Sequence, residues 1–145
     1  MAVNVSTHFT LAELTRTGTG KDNTPTTGAT IALCALAWTV LEPIREAVAR
    51  PVRVTSGYRS PAVNAAVGGS SRSQHSKGEA ADIKVDGMAA PELRNAIVAA
   101  GVPFDQLIWY APERGGHVHV SYAIGRTQRG QVIYAPAGGG YIANP

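Results

Sequence analysis

Two short stretches of this chain alternate strictly between apolar and polar residues, and each carries reactive side chains on its polar side. In His117-Val118-His119-Val120-Ser121 the valines share one face and the histidines the other. In Ala81-Asp82-Ile83-Lys84-Val85, Asp82 lies opposite Ile83. If the two strands are neighbours, Val118, Val120 and Ile83 fill a core under helices. His117, His119 and Asp82 then share the wetter face. His75 stands seven residues ahead of Asp82, in Ser73-Gln74-His75, and reaches that face from the preceding loop. Gly78 permits the tight approach that loop needs.

Zinc binds imidazole nitrogen and carboxylate oxygen, and a catalytic zinc has three protein ligands and one open position. His75, Asp82 and His119 make such a set, with His117 left beside it. The same donors also accept cobalt or nickel. A His-x-His pair on a strand is by itself commonly surface polarity. Here, however, three of the chain's four histidines fall in these two clusters. The fourth, His8, is expected to pack near the first helix, outside the site.

Composition sets the frame. With 145 residues, 44% hydrophobic and 16% charged, the chain is expected to form one globular domain over residues 1–145. A net charge of +3 suits an anionic partner such as a cell-wall polymer. No Lys/Arg block of the kind that marks nucleic-acid binding is present, and Arg126 and Arg129 read as a solvated face. Cys34, alone in an apolar run, reads as a buried, inert thiol. The apolar stretch from Ile31 to Ile44 is too short for a membrane span and contains Glu42 and Pro43.

Thr10 and Glu13 form a capping box for a short helix over Phe9–Leu14. Thr17 to Gly28 reads as a loop. Leu33, Ala37, Leu41, Ile44 and Val48 recur at helical spacing within Ala29–Arg50, where Pro43 is expected to kink the helix or restart it. Val52–Thr55, Ala81–Val85, Leu107–Tyr110 and His117–Tyr122 read as strands, and Gln131–Tyr134 as an edge strand. Pro61–Ala66 and Pro91–Ala100 read as helical, and Gly138-Gly139-Gly140 as a loosely wrapped tail. The order implies an α+β fold: a small, mainly antiparallel sheet, helices on one face and the metal-type residues on the other.

The surroundings of the two clusters add a resemblance. Ser56-Gly57-Tyr58-Arg59-Ser60, Asn64, Val67-Gly68-Gly69, Ser73-Gln74-His75 through Gly78 and Ala80-Ala81 to Asp82, and His117-Val118-His119 together resemble the zinc D-Ala-D-Ala carboxypeptidase and endolysin family, peptidase M15, over about Phe9 to Ser121. The wider group includes lysostaphin-type peptidases and the hedgehog signalling domain. The resemblance implies a hedgehog/D-Ala-D-Ala-peptidase-like fold and zinc ligands His75, Asp82 and His119. It implies that Arg59 contacts the scissile carbonyl or a substrate carboxylate, a task suited to its charged planar fork. Ser73 and Gln74 are candidates for substrate binding or for support of the site. Tyr58 and Trp109 belong to the core or the pocket wall.

One position departs from the pattern. Several branches place Asp or Glu three residues before the last histidine ligand, as general base, and here that residue is Gly116. His117 is the better replacement and Glu113 the runner-up. The implied function is hydrolysis of peptidoglycan stem-peptide bonds involving D-amino acids, either D-Ala-D-Ala or L-Ala-D-Glu, by a monomer. The alternative is a non-catalytic, zinc-containing wall-binding or phage structural module. The first eight residues lack a charged region followed by an apolar one. The expectation is therefore a chain made in the cytoplasm and released to the wall in the manner of a phage or prophage lysin, or carried on a particle.

Overall fold

The computed structural model describes residues 3–143. The single-domain expectation and the reading of the first eight residues both extend to Met1 and Ala2, and the former to Asn144 and Pro145, which lie outside the described residues.

Helix α1 (Leu11–Leu14) starts with the capping box that its sequence encodes. The Thr10 hydroxyl accepts from the Glu13 amide at 3.2 Å, and the Glu13 carboxylate accepts from the Thr10 amide at 2.8 Å. Asn4 to Thr10 closes back on itself, and Phe9 is buried. His8 pairs with Glu42, its Nδ1 2.7 Å from the carboxylate, and so packs on the third helix rather than the first.

Helix α2 (Thr27–Leu36) begins two residues before the expected Ala29, because Thr26 caps it through the Ala29 amide at 3.1 Å. It runs through one wide π turn, Ala37–Leu41, into α3 (Glu42–Val48). Pro43 explains the wide turn. It has no N–H to offer, and its ring crowds the carbonyl four residues back. The Glu42 amide instead reaches five residues back to Ala37, which admits the proline without ending the helix. The whole helix, Thr27–Val48, is 22 residues long and apolar enough by length and composition to cross a membrane, so the sequence argument from shortness fails. Its apolar side is the core: Leu33, Leu36, Ala37, Val40, Leu41 and Ile44 are fully buried. Cys34 is only half-buried on its flank, not buried as expected.

Among the described residues the sheet has six strands: β1 (Arg53–Ser56), β2 (Ala80–Lys84), β3 (Gln106–Tyr110), β4 (Val118–Ser121), β5 (Gln131–Ala135) and β6 (Ile142–Ala143), in the order β1-β2-β4-β3-β5-β6. Helix α4 (Pro61–Ala66) is capped by Ser60, and α5 (Ala90–Ala99) carries Leu93 and Ile97 into the core. The pairings are antiparallel except β3 with β5, which is parallel. β5 is therefore interior, not an edge. The tail beyond the three glycines forms the edge strand β6 and is fastened by Arg114, whose Nη1 donates to the Gly140 carbonyl at 2.7 Å.

Register is decided by burial. Asp82 stands opposite His119, and Ile83 opposite Val118. Val54, Ala81, Ile83, Val118, Val120 and Leu107 join the helices in one apolar cluster. Slipping either strand by one residue would put His119 or Asp82 into that cluster.

Candidate metal centre

Asp82 leaves the middle of β2 on the face away from the helices. His119, its cross-strand partner, places Nδ1 3.1 Å from Asp82 Oδ1. His75 sits on a short 3₁₀ turn, Gln74–Lys77, and places Nε2 3.4 Å from the same oxygen. The turn is fixed at both ends. The Ser73 hydroxyl accepts from the His75 amide at 3.2 Å, and Gly78 ends the turn at φ +75°. A side chain at Gly78 would also strike the Ala29 carbonyl, so the loop closes onto α2 only with glycine there.

The atom that orients His75 is a backbone oxygen. Its Nδ1 donates to the Gly57 carbonyl at 2.7 Å, which leaves Nε2 as the lone-pair nitrogen facing Asp82. Gly57 in turn packs so tightly on the Leu14 backbone that any side chain there would overlap it. Asn23 clamps the same segment: its amide nitrogen reaches the Tyr58 carbonyl at 2.9 Å, and its oxygen accepts from the Ser60 amide at 2.7 Å. The sequence offers Gly57 only as part of the Ser56–Ser60 motif and does not single out Asn23, because one acts through its main chain and the other sits in a polar loop.

The donor atoms of His75, Asp82 and His119 all lie within 4.8 Å of one another. Donors roughly 2.0–2.2 Å from a tetrahedral zinc stand roughly 3.3–3.6 Å apart. The His75–Asp82 and His119–Asp82 separations, 3.4 and 3.1 Å, are close to that spacing. Protonation also suits a metal. Burial raises the Asp82 pKa, but hydrogen bonds and charge from His119 and His75 outweigh it, and the carboxyl is held below its usual range. Burial lowers the His119 pKa more than Asp82 raises it, which favours the neutral ligand form.

Arg59 reaches the other oxygen of Asp82, Nη2 to Oδ2 at 3.4 Å, while its Nε donates to Ser56 Oγ at 3.1 Å. It lines the cleft and is mostly buried, so its ion pair belongs to the site and not to an exposed surface. His117 turns Nε2 toward Asp82 Oδ1 at 4.0 Å and stacks on Tyr110, ring centroids 4.2 Å apart. Burial is the main cause that lowers its pKa, and Asp82 opposes it. Neither Glu113 nor His117 lines the cleft itself; Glu113 is exposed on the Pro112–Arg114 turn, whereas His117 reaches Asp82 from behind the lining.

A cleft of about 340 Å³ opens on this centre, lined among others by Arg59, Arg72, Gln74, Tyr110, Arg129 and Tyr141. Ser73 and Gln74 both line it, yet their hydrogen bonds point inward. Ser73 caps the His75 turn, and Gln74 Nε2 donates to Asp105 at 3.2 Å and Glu79 at 3.4 Å. Asn64 holds the Ser70 carbonyl at the cleft rim at 2.8 Å. Tyr58 is core, and Trp109 stacks on Tyr134 at 4.0 Å. Arg126 and Arg129 are exposed as expected, but each also makes an ion pair with Asp105, a fully buried carboxylate. The sequence reading missed them because an acid and two bases more than twenty residues apart look like separate surface charges.

Two imidazoles and one ionised carboxylate, their donor atoms within 4.8 Å of one another and an open cleft beside them, form a group that could hold a metal ion. Residues 7–121 match the family model described as Peptidase M15, and the chain belongs to that family of zinc-dependent metallopeptidases. No curated protein matches the chain.

Proposed function

We propose that this metallopeptidase cleaves stem-peptide bonds of peptidoglycan that involve D-amino acids, at D-Ala-D-Ala or L-Ala-D-Glu, with His75, Asp82 and His119 holding the zinc. The observation that carries the reading is the convergence of those three donors beside Arg59 in one cleft, inside the family match. When bound, zinc supplies a Lewis acid that polarises the scissile carbonyl and activates water.

The chain's own residues do the rest. Arg59, tethered by Ser56, directs its guanidinium at the centre and donates to the carbonyl oxygen as negative charge grows there. His117 takes a proton at Nε2, the nitrogen facing the centre, and returns it to the departing amine. Tyr110 supports that ring by stacking on it. The Gly57 carbonyl keeps the His75 ring oriented. A hedgehog/D-Ala-D-Ala-peptidase-like arrangement of the sheet agrees with the site lying on the face away from the helices.

Digestion of purified peptidoglycan tests the proposal. Released D-Ala marks the carboxypeptidase, and new D-Glu amino termini mark the endopeptidase. Activity is expected to vanish on chelation and to fall about 10²-fold in His117→Ala. The absence of a carboxylate side chain at Gly116 favours one rival, a binding module. Tight wall binding without any bond cleavage would establish that rival and defeat the peptidase.

A further inference from the structure

The family match ends at residue 121, yet the cleft beside the donor set is also lined by Arg129 and Tyr141. Both belong to the segment after β4, which returns through β5 and β6. Its attachment is unusual for a surface loop. Asp105 is fully buried, and Arg126 grips it with both terminal nitrogens at 2.6 and 2.9 Å. Arg129 adds its backbone amide at 2.9 Å, its Nε at 3.2 Å and its Nη2 at 2.8 Å. Glu79 also acts on Arg126, so two guanidinium groups face two carboxylates, and what the cluster offers the cleft is hydrogen-bond donors and not net charge.

The grip also leaves donors over. Arg129 is half-exposed, and its Nη1 has no protein partner among the described residues. Arg72 lines the same cleft, and its guanidinium has no hydrogen-bond or ion-pair partner among the described residues. Arg59 differs, since it is committed to Ser56 and Asp82 at the reacting end. Asp82, the only acidic side chain lining the cleft among the described residues, is a metal-ligand candidate. An arginine that lines a cleft, is oriented by a buried carboxylate and keeps one terminal nitrogen unpartnered is preorganised for a second, mobile carboxylate.

We propose that Arg129, held by Asp105, forms with Arg72 an anion subsite for a carboxylate of the peptide substrate, away from the scissile bond. Arg129 is then a specificity-determining residue that this chain supplies from outside the family match. The proposal rests on the peptidase reading for its substrate class and is testable apart from it.

The probes are a peptidoglycan stem pentapeptide with all carboxylates free and the same peptide amidated at one carboxylate at a time. Calorimetric binding and steady-state kinetics are measured on the zinc-loaded chain, Arg129→Gln, Arg129→Lys and Asp105→Asn, with a thermal melt to verify folding. One amidation is expected to weaken wild-type binding about 10- to 100-fold. Arg129→Gln should reduce that ratio to about 2-fold, raising KM with kcat nearly unchanged. Arg129→Lys should restore part of it, and Asp105→Asn should lower it by loosening the arginine. The subsite is overturned if no amidation matters, if the ratio survives in a folded Arg129→Gln, or if no peptide binds. Selective binding without cleavage defeats the peptidase and leaves the subsite standing; cleavage without selectivity does the reverse.

Discussion

Asp82 and Asp105 are both carboxylates taken out of water, and both are held ionised by their neighbours. The neighbours differ in kind. Around Asp82 stand three imidazoles, which can lose their protons and offer lone pairs, and one arginine. Around Asp105 stand two guanidinium groups, which cannot. For Asp105 burial raises the pKa, and the hydrogen bonds of Arg126 and Arg129 more than reverse it. A buried, acidified carboxylate therefore marks neither catalysis nor structure by itself. Surrounded by lone-pair donors it makes a cation site; surrounded by permanent cations it makes a rivet.

The sharpest break in that comparison is Asp82→Asn. It should abolish stoichiometric zinc binding in metal analysis and lower kcat/KM by at least about 10³-fold, or about 4 kcal/mol of transition-state stabilisation. Arg59→Ala comes next, with kcat about 10²-fold lower and zinc content kept, an effect of about 3 kcal/mol. Zinc loss in that variant would mean that Arg59 holds the ligand and not the substrate.

Asp105→Asn should instead act on stability. Urea unfolding is expected to show a loss of about 1–2 kcal/mol, moderated because both arginines are half-exposed, while zinc stays bound. The smallest effect is on pH dependence. The Asp105 pKa is lower when folded, so its contribution is complete above the unfolded value of about 3.9 and fades as pH falls through it toward the folded one. Stability followed from pH 5 downward should decline more gently in Asp105→Asn than in the parent; parallel curves would show the rivet to be electrostatically idle.

The metal corner was largely readable because strand alternation leaves little choice: once Val118, Val120 and Ile83 must be inside, His119 and Asp82 must face each other outside. The Thr10–Glu13 cap was equally local. What escaped was non-local or carried by the main chain. The parallel pairing of β5 with β3 depends on a return path that no short pattern encodes. The grip on Asp105 joins residues with no shared motif. The wide turn before Pro43 kept the long helix going where a break was equally consistent with the sequence.

The oxygen that steers His75 belongs to the peptide unit of Gly57. No exchange of side chains can delete it; it can only be displaced. The strand end that carries it abuts Leu14, with the Tyr58 amide bonded to the Leu14 carbonyl at 2.8 Å. With His75 as a proposed ligand, cation affinity becomes geared to how firmly the first helix seats, and a lesion at Leu14, remote in sequence from the proposed ligands, is expected to weaken it.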